Sequence, residues 1–162
     1  MDNLTLLLVI RLWIYILNYT CTYCFHAGSS AFSATNVAVI SGTNDIRFPA
    51  VILNTGGDYN TGTWMFTCRV PGLYWFSATI GKAFGVNVDY AKCSIMLNGA
   101  QKIQLYTDPH GDNLNGYSST GSVALQLRSG DRVQVGECSN DAEKISPDFR
   151  THFSGMLVKP DL

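Results

Sequence analysis

The sequence predicts an all-β domain, a sandwich of two antiparallel sheets built from about ten short strands. From Ala31 onward, apolar and polar residues alternate in short runs, which is the period-two pattern of half-buried strands. The same region contains no run with the periodicity of an amphipathic helix. Clusters of Gly, Pro, Asn and Asp separate the runs at short intervals, as tight turns between neighbouring strands require.

The first half of the domain carries its longest apolar run. Ala31–Asn36 opens this region, and Ser41–Asp45 is predicted as a polar turn. Strands are predicted at Arg47–Leu53, Thr63–Val70 and Leu73–Ala83. The last of these is rich in aromatic and β-branched residues, so it is expected to be a central strand with at least one buried face.

The second half of the domain shows cleaner alternation. Strands are predicted over the segments Tyr90–Leu97, Ala100–Tyr106, Ser122–Arg128, Arg132–Gly136 and Arg150–Lys159. Asn98-Gly99 predicts a hairpin between the first two, because both residues tolerate positive φ. The inward positions carry the apolar side chains Cys93, Ile95, Leu97, Ile103, Leu105, Val123, Leu125, Leu127, Val133 and Val135.

The N-terminal segment differs in composition from the domain. The stretch Leu4–Leu17 is apolar but is interrupted by Arg11, and it is shorter than the about 20 residues that a spanning helix needs. It predicts a cleaved secretory signal at residues 1–27 and a domain at 28–162, with a retained anchor as the alternative. We therefore expect a secreted, extracellular protein with no membrane span in its mature form.

The charge balance excludes one class of partner. The chain has 11 Lys and Arg against 12 Asp and Glu, a formal net charge of −1, and the charges are scattered. No basic field is available to attract a phosphate backbone, so nucleic acid is not expected as a partner.

A set of residues at fixed intervals narrows the fold further. We call them the signature residues, and they are Phe48, Asn54, Tyr59, Phe66, Gly72, Tyr74, Phe76, Phe153 and Gly155. Their spacing resembles the signature of the complement C1q globular-head family, whose jelly roll is shared with the tumour necrosis factor cytokines. The opening AFSATN and the closing HFSGMLV resemble the first and last strands of that family. The chain departs from the pattern at Ala78 and Met156, where the family usually has an aromatic residue.

The resemblance implies an architecture and an assembly. It implies a ten-stranded antiparallel jelly roll in which the signature residues are structural and do not contact ligand. It also implies a compact homotrimer around an axis lined by apolar side chains. Because the sequence has no Gly-X-Y repeat, a secreted, head-only member of the family without a collagen stalk is expected.

The cysteines of the domain allow two different states. Cys68 is in phase with Phe66 and Val70, so it is predicted to be a buried free thiol, as the resemblance also implies. Cys93 and Cys138 are candidates for a disulfide. Because Cys138 is out of phase with Val133 and Val135, that disulfide requires a bulge near Gly136.

The residues suited to catalysis or metal binding form a weak pattern. His110 lies near Asp108 and Asp112, but no nucleophile elbow accompanies it, so an enzyme is not expected and no cofactor is predicted. Asp108, Asp112 and Asn113 offer hard oxygens suited to calcium. Their spacing is not that of a calcium loop, and ordinary turn chemistry is the alternative.

Polar loops are the predicted ligand-binding regions, at Gly81–Asp89, Asp108–Tyr117 and Asn140–Asp148, because sandwiches present recognition residues on loops. The candidate side chains are Asp108, His110, Asp112, Asn113, Asn115, Asp141 and Lys144, together with Lys82. The resemblance favours a pattern-recognition protein of innate immunity that binds microbial surface glycans. A cytokine-like or synaptic-organiser-like ligand of a cell-surface receptor is the alternative, and loops that are merely solvated are a third.

Overall fold

The computed structural model describes residues 11, 28–36, 38–39, 46–84, 90–108, 116–138, 145–146, 148 and 150–161. Its strands, in chain order, are β1 (Ala31–Thr35), β2 (Ala38–Val39), β3 (Ile46–Arg47), β4 (Ala50–Thr55), β5 (Tyr59–Asn60), β6 (Met65–Thr67), β7 (Gly72–Gly81), β8 (Ala91–Leu97), β9 (Ala100–Thr107), β10 (Ser118–Leu127), β11 (Arg132–Gly136) and β12 (His152–Pro160).

Two five-stranded sheets form the sandwich. The front sheet has the order β10-β7-β12-β1-β4, and the back sheet has the order β5-β6-β11-β8-β9. All strand pairs within these sheets are antiparallel, and β2 and β3 form a separate ribbon. This arrangement confirms the predicted ten-stranded antiparallel jelly roll.

The aromatic signature residues form the centre of the core. Phe48, Tyr59, Phe66, Tyr74, Phe76 and Phe153 are all at most 2% exposed. Their rings contact one another directly, and Phe32 of β1 joins them, with centroids 4.8 Å from Tyr59 and 4.9 Å from Phe153. Such aromatic pairs add to the free energy gained from buried apolar area alone.

The two buried tyrosines keep their hydroxyl groups hydrogen-bonded. Tyr59 donates to the carbonyl oxygen of Phe48 at 3.3 Å, and Tyr74 donates to that of Val70 at 2.7 Å. Burial raises the pKa of both phenols well above the ordinary value, so both remain protonated donors.

The non-aromatic signature residues fix backbone geometry. Asn54 holds Tyr59 by donating to its carbonyl oxygen at 2.8 Å and accepting from its amide at 3.1 Å. Gly155 faces the core, where a Cβ would lie 2.5 Å from the Phe76 ring and 2.7 Å from Phe32. Gly72 is the first residue of β7, and a Cβ there would collide with the backbone of Lys159 and Pro160. Close packing, more than the turn itself, therefore requires glycine at position 72.

Two predicted strands are shorter than expected. The segment Arg47–Leu53 is divided after β3, because Pro49 has no amide hydrogen to donate to a sheet. The segment Thr63–Val70 keeps only β6, because the chain turns just before it, with Trp64 at φ 62°. The short strand β5 was not predicted.

The sandwich has two different ends. The strand β7 runs from Gly72 to Gly81, and its neighbours β10 and β12 run in the opposite direction. The segments that connect the strands therefore lie at one end of the sandwich or at the other. We call one group the turn end; it contains Gly56–Asp58, Cys68–Pro71, Asn98–Gly99 and Arg128–Asp131. We call the other group the loop end; it contains the three segments predicted to bind ligand.

Candidate functional site

The loop end carries the predicted ligand-binding residues, of which the structure describes only a few. Asp108 is exposed at the end of β9. Partial desolvation together with the carboxylate of Asp108 raises the pKa of the neighbouring Tyr106. The other candidates lie outside the described residues and stay predictions: His110, Asp112, Asn113, Asn115, Asp141 and Lys144.

Lys82 corrects one expectation. It was predicted to face ligand from a polar loop, but its side chain is fully buried and its Nζ lies 3.4 Å from the carbonyl oxygen of Ala83. Its backbone amide donates to Tyr117, and it forms a β-bridge with Ile145. The side chain of Lys82 is therefore not available to a ligand in this structure.

A buried threonine fixes the base of the loop end. Thr151 is fully buried, and its hydroxyl accepts from the amide of Gly81 at 3.0 Å. Its carbonyl oxygen accepts from the Thr35 hydroxyl at 2.9 Å, and the Ser146 amide donates to Gly81 at 2.6 Å. The strands that carry these loops are thus joined to one another directly below them.

An exposed ion pair lies above this base. The Arg150 guanidinium contacts Asp148 at 2.7 Å and donates to the Ser146 hydroxyl at 3.1 Å. Hydrogen bonding from Arg150 lowers the pKa of Asp148 to about 2. Asp148 was predicted among the polar loop residues, and its carboxylate is already engaged by Arg150.

The calcium hypothesis gains no support from the part of the chain that the structure describes. Within it, no group of three or more His, Cys, Asp or Glu side chains is placed to hold a metal ion. Asp112 and Asn113 lie outside that part, so the calcium candidates stay predictions.

The cysteines adopt the states that the sequence allowed. The structure joins Cys93 and Cys138 in a disulfide. The required irregularity follows Gly136, where Glu137 takes a positive φ of 48° and returns Cys138 to the core side. Cys68 is a buried free thiol that donates to the carbonyl oxygen of Val70 at 3.2 Å, and burial raises its pKa. This environment favours an unreactive thiol.

The outward surface of the front sheet is a candidate site that the sequence pattern did not assign. Trp75 and Met156 face each other across β7 and β12, with exposures of 42% and 53%. Beside them runs a row of small hydroxyl residues, in which Ser122 donates to Ser77 at 3.0 Å and Ser154 to Ser33 at 3.1 Å. We call this surface, consisting of Trp75, Met156, Ser77, Ser154, Ser33 and Ser122, the outer face.

The outer face had a signal in the sequence. Tyr74 and Phe76 point into the core, so alternation sends Trp75 outward. Small side chains around one large apolar pair leave a surface that another protein surface can approach closely. The Trp75 side chain is 42% exposed in the single chain, so it is available to contact a partner.

A second exposed aromatic group lies at the far edge of the back sheet. Tyr90 and Tyr106 are 38% and 47% exposed, and their rings stack with centroids 5.4 Å apart. We call this pair the tyrosine patch. It differs in shape and chemistry from the outer face.

The C1q domain profile matches residues 31–158, which cover both sheets. The chain belongs to the C1q domain family. A complement C1q subcomponent of Rattus norvegicus is 35% identical over 116 residues, which are 72% of this chain and 44% of that protein. Complement C1q tumor necrosis factor-related protein 2 of Mus musculus is 32% identical over 114 residues, which are 68% of this chain and 36% of that protein. The chain thus spans less than half the length of these relatives.

Solved structures share the fold of this C1q domain. The globular domain of zebrafish complement 1qA protein superposes with a TM-score of 0.61 at 18% identity, covering 82% of this chain and 99% of that structure. Murine APRIL superposes with a TM-score of 0.61 at 12% identity, covering 81% of this chain and 100% of that structure. Among the described residues, no helix is long and apolar enough to cross a membrane.

Proposed function

We propose that this C1q domain acts outside the cell as a homotrimer that recognises repetitive glycans on microbial surfaces. The outer face is the observation that supports the proposed trimer. There, Trp75 and Met156 are exposed on β7 and β12, two interior strands of the front sheet. A large exposed apolar pair bordered on one side by small polar residues is typical of a protein interface.

Two unlike surfaces support a ring of copies. A twofold dimer pairs a surface with itself, whereas a head-to-tail ring needs two different surfaces. The outer face and the tyrosine patch are two such surfaces on one chain. We infer that the tyrosine patch of one copy packs on the outer face of the next, and that three copies close the ring, as the family resemblance implies.

The chemistry of the chain supports an extracellular binding role. The Cys93–Cys138 disulfide is typical of proteins from oxidising compartments. The net charge of −1 gives no strong field, which suits neutral ligands better than nucleic acid. We propose binding rather than catalysis, because no nucleophile elbow accompanies the candidate general base His110 in the sequence.

Avidity explains how weak single sites suffice. A single loop site is expected to bind a saccharide with a dissociation constant on the order of millimolar. Three linked copies on a repetitive surface gain about 10²–10⁴ in avidity when their spacing fits. Microbial polysaccharides present such repeats.

The assembly is tested by placing a charge on the outer face. We expect Trp75→Glu to convert the trimer into monomers in sedimentation experiments at micromolar concentration, because a buried unpaired carboxylate is costly. Gln134→Glu is the matched control, because Gln134 lies mid-strand on the outward side of the back sheet and should leave the trimer intact. A wild-type protein that sediments only as monomer would contradict the proposed assembly.

The ligand class is tested with wild type and the Trp75→Glu monomer side by side. We expect the trimer to bind immobilised peptidoglycan, lipopolysaccharide or β-glucan, and the folded monomer to lose this binding. A monomer that binds as tightly as the trimer would contradict the avidity argument. Binding to host-cell receptors with none to microbial surfaces would favour the cytokine-like alternative.

A further inference from the structure

A cleft of about 370 Å³ opens at the turn end of the sandwich, opposite the loop end. Asp58 and Asn60 line it from one side, Thr67 and Arg69 from a second, and Ser129 from a third. We call it the turn-end cleft. Its volume lies within the range of small-molecule sites, about 300–1,000 Å³.

The walls of the turn-end cleft are joined by backbone hydrogen bonds. The Thr67 amide donates to Asp58 at 2.8 Å, which joins the first two walls. The Cys68 amide donates to Asp131, and the Gly130 amide donates to Cys68, both at 2.8 Å, which joins the second wall to the third. Segments far apart in sequence thus hold a preformed shape, which lowers the entropic cost of binding a ligand.

Asp58 gives the cleft an acceptor with unused capacity. Its side chain is only 5% exposed, and its Oδ1 accepts from Arg69 Nε at 3.0 Å. Its Oδ2 is buried and has no hydrogen-bond partner among the described residues. A buried carboxylate oxygen without a donor is unfavourable, so a donor supplied from outside would be stabilising.

The cover over this oxygen is a glycine turn. A Cβ on Gly56 would lie 3.1 Å from Asp58 Oδ2 and 2.9 Å from Arg69 Nη2, so a larger residue would press on both charged groups. At Gly57, which lines the cleft, a Cβ would meet nothing within 4 Å. The Gly56–Gly57 turn is therefore the part of the cleft that moves when a ligand reaches Asp58 Oδ2, while the hydrogen-bonded walls keep their shape.

The charges of the cleft select the class of ligand. Arg69 is 56% exposed and lies against Asp58, so their formal charges cancel. An anion attracted by Arg69 is repelled by Asp58, and a cation meets the reverse. A hydroxyl group donates to a carboxylate and accepts from a guanidinium, so it satisfies both. Thr67 and Ser129, which are exposed, add further hydroxyl partners.

We propose that the turn-end cleft binds a neutral saccharide, with vicinal hydroxyl groups shared between Asp58 and Arg69. The inference rests on the proposed glycan recognition. It assigns a glycan-binding site to the turn end, whereas the sequence predicted such sites at the loop end. A trimer would carry three such clefts, one for each copy.

The test is a titration of the isotope-labelled wild-type protein, followed by amide NMR signals. The probes are methyl α-mannoside, N-acetylglucosamine and galactose, with inorganic phosphate as the anionic probe. We expect at least one saccharide to shift the amides of Gly57, Thr67, Arg69 and Gly130 in a saturable way, with a dissociation constant on the order of millimolar. Phosphate should leave them unchanged.

Variants identify the groups that bind. Asp58→Asn and Arg69→Gln should each weaken saccharide binding about tenfold or more, because each removes a hydrogen bond to a charged group. Ser129→Ala changes an exposed turn residue, so it should keep the fold while weakening binding about threefold. Ser118→Ala is its matched control, because Ser118 begins β10 at the loop end and should bind as wild type does.

The outcomes separate this proposal from the broader one. Saccharide shifts at Asp108 and Tyr117 but not in the cleft would overturn the cleft and leave glycan recognition standing. Microbial polysaccharide binding without any cleft shift would do the same. Phosphate shifts that depend on Arg69 would overturn the neutral ligand class. Cleft shifts by saccharide in a protein that ignores microbial surfaces would support the cleft and overturn the proposed function.

Discussion

The two ends of this sandwich are stabilised in different ways. At the turn end, short links bond to one another: Asn98 donates to Asp131 at 2.8 Å, and Asp131 also accepts from the Arg128 amide at 2.8 Å. At the loop end, the Cys93–Cys138 disulfide and the hydrogen bond from the Gly81 amide to the buried Thr151 join strands that are distant in sequence. Hydrogen bonds between short turns therefore join the strands at the turn end, whereas a disulfide and a buried side chain join them at the loop end.

The difference decides where a preformed site can exist. The turn-end cleft has walls held by hydrogen bonds, so its geometry belongs to the scaffold. Recognition by the loop-end candidates would instead rest on loop side chains, which vary more in sequence than the elements they connect. The predictions below test this contrast, from the largest expected effect to the smallest.

Truncating the middle of the core should weaken both ends together. Phe76 is fully buried in β7, contacts Phe66 and Phe153, and lies between the two ends. We expect Phe76→Ala to lower the free energy of unfolding by about 3–5 kcal/mol, through lost burial and a cavity. Chemical denaturation measures the loss, and hydrogen exchange should show it equally at both ends. An unchanged melting temperature would remove Phe76 from the core.

Breaking the disulfide should weaken the loop end more than the turn end. Cys93 and Cys138 are 45 residues apart, so their link restricts a long loop in the unfolded chain. We expect the double variant Cys93→Ala, Cys138→Ala to lose about 2–4 kcal/mol. Hydrogen exchange should rise most at Lys82 and Thr151, while Asn98 and Asp131 keep relatively more protection. Titration that finds no disulfide in the oxidised wild type would contradict the pairing.

How much was predictable from sequence depends on whether a feature is set by neighbouring residues or by segments that are distant in sequence. Features set by near neighbours were predicted: Asn98 and Gly99 both have positive φ in their hairpin, and alternation placed Tyr74 and Phe76 in the core. A bulge near Gly136 was predicted to return Cys138 to the core side; the structure does this instead through the positive φ of Glu137, just after β11. These outcomes depend on local backbone chemistry, which a single sequence carries.

What the sequence did not reveal depends on contacts between distant segments. The polarity of Lys82 suggested an exposed loop residue, but its side chain is buried, and its backbone pairs with Tyr117 and Ile145, which are distant in sequence. The turn-end cleft was missed for the same reason, because Asp58, Arg69 and Ser129 meet only after β4, β6 and β10 are assembled. No spacing rule joins positions so far apart.

Removing the two hydrogen bonds between Asn54 and Tyr59 at the turn end should lower the free energy of unfolding less than removing the disulfide. Asn54 forms two hydrogen bonds to the backbone of Tyr59. The variant Asn54→Ala leaves the partly buried amide and carbonyl oxygen of Tyr59 without these hydrogen bonds. We expect a loss of about 1–3 kcal/mol in the free energy of unfolding. Asn60→Ala is the control, because its bonds to Gly62 and Thr63 are exposed and water can replace them. Equal losses of stability in the two variants would show that the Asn54 hydrogen bonds stabilise the fold no more than those of an exposed turn.

The smallest expected effect is a pH dependence at the turn end. Both oxygens of Asp131 accept hydrogen bonds, from the Arg128 amide and from Asn98, and these lower its pKa below the ordinary value of 3.8. A lowered folded pKa means that the ionised form stabilises the fold above the unfolded pKa. That stability is lost as the pH falls from about 4 through the lower folded pKa.

The variant Asp131→Asn tests this contribution, because it removes the charge and turns one acceptor into a donor. We expect it to be less stable than wild type by about 0.5–1 kcal/mol near neutral pH, a range reduced for solvent screening. The difference should shrink as both proteins are acidified below pH 4, since wild type then loses its ionised carboxylate. Asp148→Asn is the loop-end counterpart: its carboxylate is paired with Arg150 but 44% exposed, so salt should abolish its smaller effect. A stability difference for Asp131→Asn that stays constant down to strongly acidic pH would assign the loss to shape rather than charge.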